Sequence, residues 1–193
     1  MKRKNIIPST FLICILFSGV VSNAQSRKGM VTPFRKGTVT FNAGVGFGTD
    51  YKNEYASSSA LGTKAAFEFG VFPAGPGVIS LGVEVGATTS NKSNRYYKDD
   101  FRSHTLVVAG RSAWHFGWKI PGLDTYAGLS AGAGFHHYEY YDSPRDKYKQ
   151  DDLIPVVGGF AGVSYFFTPK FGVNAEAGFD ITSIQAGVIF KLK

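Results

Sequence analysis

Residues 170–192 read KFGVNAEAGFDITSIQAGVIFKL. Phe171, Val173, Ala175, Ala177 and Phe179 alternate with Gly172, Asn174, Glu176, Gly178 and Asp180. After Ile181-Thr182-Ser183 the alternation resumes, with Ile184, Ala186, Val188, Phe190 and Leu192 against Gln185, Gly187, Ile189 and Lys191. A strict period of two places every second side chain on one face of an extended chain, so each half is a strand with one apolar face. The short polar break between the halves predicts a hairpin. As the last apolar segment, this hairpin is expected to close the sheet that precedes it.

Working outward, six further runs alternate in the same way, over residues 38–48, 62–72, 78–88, 104–116, 125–137 and 153–167. Each is near the roughly 9–11 residues that a tilted strand needs to cross a bilayer. The segments between them alternate long and short. Residues 49–61, 89–103 and 138–152 are long and polar, whereas PAGPG at 73–77 and TPK at 168–170 are tight, and 117–124 is intermediate. Long loops at one end and short turns at the other are the layout of a membrane barrel. The expectation is an all-β fold, an eight-stranded antiparallel up-and-down transmembrane β-barrel, spanning residues 37–193.

The N-terminus agrees with export. Lys2, Arg3 and Lys4 precede an apolar run at 11–21 and the small-x-small pattern Ser22-Asn23-Ala24. That is the grammar of a secretory signal peptide over residues 1–24. Residues 25–36 (QSRKGMVTPFRK) show no period and read as a flexible N-terminal lead-in. Cleavage after Ala24 removes Cys14, the only cysteine, so neither a disulfide framework nor a thiol nucleophile is available. It also removes three bases and no acids, leaving 18 bases against 14 acids. A balance of +4 is too slight to indicate a nucleic-acid partner.

An eight-stranded barrel with one apolar face could hold a ligand inside or face lipid outside. The polar face decides. It is dominated by glycine (Gly44, Gly46, Gly82, Gly86, Gly128, Gly132, Gly134, Gly162, Gly172, Gly178 and Gly187), which weakens a solvated strand but suits a narrow interior. Its charges are few: Lys64, Glu68, Glu84, Arg111, Glu176 and Lys191. The glycine face therefore points inward and the apolar face meets lipid. Aromatic residues near the strand ends, among them Phe72, Trp114, Trp118, Phe135, Phe167 and Phe190, fit interfacial girdles.

With the signal peptide, the FGVNAEAGFD and SIQAGVIFKL strands and the loop alternation in view, the chain resembles the small eight-stranded outer-membrane barrels of gram-negative bacteria, the OmpA transmembrane domain and OmpX-like group. The resemblance covers essentially the whole mature chain. It implies a cell outer-membrane location, insertion by the barrel assembly machinery, and a monomer in contact with outer-membrane lipid and lipopolysaccharide.

No motif singles out an enzyme, a cofactor or a metal. Gly44-Val45-Gly46-Phe47-Gly48 leads into a polar segment rather than a helix, which argues against a phosphate cradle. His136 and His137 project to opposite faces, a poor pair for one metal. Asp99-Asp100 and Asp151-Asp152 read as solvated loop charge. Ser103-His104 and Ser112 with His115 supply hydroxyl and imidazole, but nothing in the spacing fixes their geometry. Two sites do stand out. Residues Lys92, Arg95, Tyr96, Tyr97, Lys98 and Arg102 combine basic and aromatic groups in one long loop, suited either to pairing with the acidic loop at 138–152 or to the phosphates and sugars of lipopolysaccharide. Inside the barrel, equating Phe72 with Val78 across the PAGPG turn sets Glu68 opposite Gly82 and Ala66 opposite Glu84, so the two carboxylates are diagonal neighbours about 7–8 Å apart. Arg111 on the next strand is the base that could bridge them, with Glu176 approaching across the lumen. Glu68, Glu84, Arg111 and Glu176 are thus expected to form a luminal charge cluster that plugs the barrel. The leading functional reading is a non-enzymatic outer-membrane protein with a structural or surface-interaction role. A small-solute permeation channel and a lipid A-modifying enzyme are the alternatives.

Overall fold

The computed structural model describes residues 33–48, 61–93, 100–143 and 146–193. Eight strands follow one another: β1 (Val39–Phe47), β2 (Leu61–Ala74), β3 (Gly77–Ser93), β4 (Asp100–Gly117), β5 (Leu123–Ser143), β6 (Asp146–Phe166), β7 (Phe171–Gly178) and β8 (Ile184–Lys191). Each pairs antiparallel with the next, and β8 returns to β1 to close the barrel. Closure leaves no edge strand with unpaired backbone groups, which a bilayer would not tolerate.

The face assignment holds strand by strand. Along β3, Leu81, Val83 and Val85 are exposed while Ser80, Glu84 and Thr88 are buried. Along β7, Phe171 and Val173 face out and Asn174 and Glu176 face in. A soluble protein shows the reverse, so the exposed apolar belt marks a lipid-facing exterior. The belt ends where charge begins on the outer face: Phe135 opposite Leu153 gives way to His137 opposite Asp151 and Glu139 opposite Lys149. Its other end is a chain of touching rings. Trp114, Phe116 and Trp118 form one group and Tyr165, Phe167, Phe171 and Phe190 another, with centroids 5.0–6.4 Å apart. Both girdle indoles donate, Trp114 Nε1 to Ala74 O at 3.0 Å and Trp118 Nε1 to Thr125 Oγ1 at 2.9 Å. This is the end with the short turns, hence the periplasmic end. Gly75 and Gly122 adopt φ of 58° and 83° in those turns, a conformation other residues rarely take.

Four features differ from the sequence expectation. Residues 89–93, 100–103, 138–143 and 146–152, expected as loop, are strand, so β3–β4 and β5–β6 continue well past the lipid belt. Past the apolar belt the outward side chains are polar as well as the inward ones, so no apolar alternation marks the strand. Second, Phe72 pairs with Ile79 rather than Val78. A bulge between Gly70 and Phe72 absorbs the extra residue and returns Glu68 to Gly82 and Ala66 to Glu84. Third, the lead-in is anchored at its end: Phe34 is fully buried in the periplasmic mouth, and Gly37 and Thr38 exchange backbone hydrogen bonds with Gly70. Fourth, the turn after β7 folds inward, burying Asp180, Ile181 and Thr182 in the extracellular half of the lumen, where Ile181 packs with Val107, Ala109 and Val156.

The interior also contains aromatic side chains that the glycine count had hidden. Tyr126, Phe160 and Phe166 are buried inside. Glycines on adjacent strands make room for them: a Cβ on Gly162 would lie 2.4 Å from the Tyr126 ring, and one on Gly128 2.6 Å from Phe160 Cζ. The glycine face is thus the negative of these rings.

Candidate functional site

The four residues proposed for the lumen meet. Glu68, Gly82 and Arg111 share one row across β2, β3 and β4, and the missing side chain of Gly82 lets the guanidinium reach across. Arg111 Nη2 is 3.2 Å from Glu68 Oε1 and 3.0 Å from Glu176 Oε2, and Nη1 is 3.0 Å from Glu84 Oε2. All four are at most 4% exposed. The fork geometry of arginine suits three carboxylates arranged around it. Its apolar face lies 4.0 Å over the Phe160 ring.

Sequence reasoning missed the rest of the network. Lys64 bonds Glu176 and Asp180, and stands 3.9 Å from Glu84 Oε2. Lys64 was visible as an inward charge, but Asp180 reaches it only because the turn folds inward. Toward the periplasm, His115 Nε2 is 3.1 Å from Glu68 Oε2 and Nδ1 is 2.8 Å from Asp124 Oδ2. Phe34 stacks on the His115 ring at 3.7 Å and 8°. A continuous chain of ion pairs and hydrogen bonds therefore runs Asp124–His115–Glu68–Arg111–Glu84/Glu176–Lys64–Asp180. Buried charges are tolerated when each is paired and hydrogen-bonded.

The suggested catalytic pairs do not form. Ser112 Oγ donates to Ser80 O at 2.8 Å, and His104 Nδ1 is 3.2 Å from Thr89 Oγ1. Ser103 Oγ lies 3.0 Å from His136 Nε2, inside the barrel, with Thr105 Oγ1 2.8 Å from Nδ1 of the same ring. His137 faces outward and bonds Asp151, so the two adjacent histidines do serve opposite faces. Among the described residues Ser80, His115 and Asp124 form a serine–histidine–carboxylate alignment, with Ser80 Oγ 3.2 Å from His115 Nε2. Ser80 Oγ donates instead to Glu68 Oε2 at 2.6 Å and is fully buried, so its hydroxyl is committed within the network.

Of the basic–aromatic residues suggested for lipopolysaccharide, Lys92 lies on β3 and Arg102 on β4, with Lys92 paired to Phe101 and Arg102 to Asn91 in the backbone register. Arg95, Tyr96, Tyr97 and Lys98 lie outside the described residues, as does the signal peptide.

A closed ring of eight strands, apolar outside and ionic inside, decides the class. The chain is an eight-stranded transmembrane β-barrel protein. No family model matches its sequence, and no curated protein does either. Solved structures of similar shape include Ail, the attachment invasion locus protein of Yersinia pestis, in complex with the heparin analogue sucrose octasulfate (13% identity, 80% of this chain and 93% of that chain, TM-score 0.45). Neisserial surface protein A is similar at 14% identity, 80% and 96% coverage and a TM-score of 0.47. A de novo designed transmembrane β-barrel is similar at 18% identity, 82% and 98% coverage and a TM-score of 0.45. At these identities the likeness is one of fold.

Proposed function

We propose that the protein is a non-enzymatic integral outer-membrane barrel with a structural or surface-interaction role, its lumen plugged by small and charged side chains. The observation that carries this reading is the division of labour along the barrel axis. β3 to β6 are 17, 18, 21 and 21 residues long, far beyond the roughly 9–11 that cross a bilayer. β1, β7 and β8 have only 9, 8 and 8. Two hairpins thus stand out of the membrane, while the spanning part is filled by paired ions that no solute can displace cheaply. Against catalysis stands the burial of Ser80 and His115 beneath Phe34, which leaves no room for an acyl group. The β3–β4 hairpin, with Lys92, Arg95, Tyr96, Tyr97, Lys98 and Arg102, is the surface assigned to lipopolysaccharide phosphates and sugars. The protein is read as a monomer inserted by the barrel assembly machinery.

Planar-bilayer recording of the refolded mature chain tests the plug. No stable open level is expected; a reproducible one would favour the permeation channel instead. On the same preparation, replacing Lys92, Arg95, Lys98 and Arg102 by glutamine should weaken lipopolysaccharide binding about tenfold or more, since each lost phosphate contact also removes salt-dependent attraction. Unchanged binding would remove this hairpin as the contact surface.

A further inference from the structure

Past the lipid belt β3 to β6 continue as one sheet, and the register there sorts its two faces by chemistry. On the outward face Arg102, Glu139 and Lys149 share one row, and His104, His137 and Asp151 share the row nearer the membrane. The inward face differs. Its row nearest the membrane is Thr88–Thr105–His136–Asp152, and the next is Ser90–Ser103–Tyr138–Gln150. The third sets Lys92 beside Phe101, Tyr140 and Tyr148. Lys92 and Asp152 are the only charged positions in these three rows, and they cancel. An anion therefore meets no net positive charge on this face.

The face carries hydrogen-bonding capacity that the fold does not use. Ser90, Ser103, Thr105 and His136 are each at most 4% exposed, while Gln150 and Asp152 are exposed on β6 and leave that side open. Ser103 Oγ lies 3.0 Å from His136 Nε2 and Thr105 Oγ1 2.8 Å from Nδ1. A neutral imidazole donates through one nitrogen and accepts through the other, so at least one of these hydroxyls keeps its proton for another acceptor. Ser90 Oγ is buried with no hydrogen-bond partner among the described residues, whereas buried hydroxyls are normally paired. The aromatic positions 101, 140 and 148 stand on three adjacent strands, a span of about 10 Å. A pyranose ring has a flat C–H face and a rim of hydroxyls, so aromatic groups beside paired donors and acceptors suit it.

We propose that this inward face binds an uncharged oligosaccharide from outside the cell, its sugar rings along Phe101, Tyr140 and Tyr148 and its hydroxyls on Ser90, Ser103 and Gln150. Lipopolysaccharide of the surrounding leaflet meets the outward face, whereas this one is turned to the barrel axis. The inference goes beyond the lipopolysaccharide contact proposed above and shares only Lys92 with it.

The refolded mature chain, in phosphatidylcholine nanodiscs free of lipopolysaccharide, is applied to an array of neutral, sialylated and sulfated oligosaccharides. Neutral members should be retained, with a dissociation constant below about 1 mM when the same sugar is titrated in solution. Tyr148→Ala, on a hairpin outside the lipid belt, should weaken that binding about tenfold or more. Ser103→Ala should weaken it as well, and Lys149→Gln, on the outward face, should leave it unchanged. Heat-dependent gel migration checks that each variant still forms a closed barrel. Retention of no neutral oligosaccharide, or of sialylated and sulfated ones alone, overturns the proposal. So does binding that survives both Tyr148→Ala and Ser103→Ala, or displacement of the sugar by lipopolysaccharide inserted into the nanodisc, which makes the leaflet's own polysaccharide the occupant.

Discussion

Gly82 shows how one small residue can organise a site. It sits between Glu68 and Arg111, and a Cβ there would approach Phe67 O to 2.1 Å and Glu68 Cγ to 3.0 Å. A side chain at 82 would both push the backbone of β2 and block the salt bridge that crosses it. Arg111 in turn holds three carboxylates. Arg111→Ala should therefore cost about 3–5 kcal/mol, because removing one member of a buried ionic group strands the others. The loss of unfolding temperature should be greater at pH 8 than at pH 4, where the stranded carboxylates can take up protons. An equal loss at both pH values would mean that the guanidinium contributes packing on Phe160 rather than charge. The alternation and one hairpin register were enough to name Glu68, Glu84, Arg111 and Glu176 from the sequence. They were not enough to name Asp180, which lies past the end of β7 and joins the network only because the turn folds inward, or Asp124, which sits at the start of β5 just outside the alternating run. Phe34 was illegible for a related reason: it lies in a segment with no period at all, and only the shape of the mouth tells it where to pack.

The turn between β7 and β8 and the β5–β6 hairpin show what elements add to residues. The turn can fold inward because Gly158 and Gly86 leave space: a Cβ on Gly158 would lie 2.5 Å from Asp180 Cβ, and one on Gly86 2.8 Å from Ile181 Cγ2. Gly158→Val should expel the turn and separate Asp180 from Lys64. Its destabilisation should be strongly non-additive with Asp180→Asn in a double-mutant cycle, since both break the same contact. Additive losses would show the turn to be held by other means. On the β5–β6 hairpin, outside the lipid belt, the hydrogen bond to Asp151 is the largest cause raising the His137 pKa, with Glu139 assisting. A proton held more tightly in the folded hairpin stabilises it below the ordinary histidine value of about 6.5, and that contribution is lost as pH rises through the raised folded value. Histidine-resolved NMR should find the His137 midpoint above that ordinary value, and Asp151→Asn should bring it down. The sequence placed His137 at the end of a strand and Glu139 and Asp151 in a loop. Strand pairing in water, without an apolar face, leaves no periodic trace, so the hairpin's length could be learned only from the paired backbone.

At the scale of the whole molecule the chain inverts a soluble protein, and the inversion sets which substitutions it tolerates. Glycine on one face and Val, Leu and Phe on the other had already fixed the sides, because a solvated exterior has no use for a stripe of glycine. The room available inside was not readable, since volume depends on which rings enter it. Thr40, on the inner face, is only 1% exposed and offers no space for a larger residue. The outer face has room everywhere, and there the cost of charge depends on depth alone. Val83 lies at the centre of the lipid-facing run of β3 from Ile79 to Ala87 and is 60% exposed to the surroundings. Phe135 stands at the extracellular rim, one outward position before His137. Val83→Arg should lower the unfolding free energy in bilayers by about 2–4 kcal/mol, whereas Phe135→Arg should cost only about 0–1 kcal/mol for its charge, beyond the loss of the ring. Phe135→Gln, measured alongside, isolates that charge term. If the two arginines cost the same after this correction, the outer face does not sample a depth-dependent apolar medium, and the belt defined by the exposed side chains is not the part of the barrel that lipid surrounds.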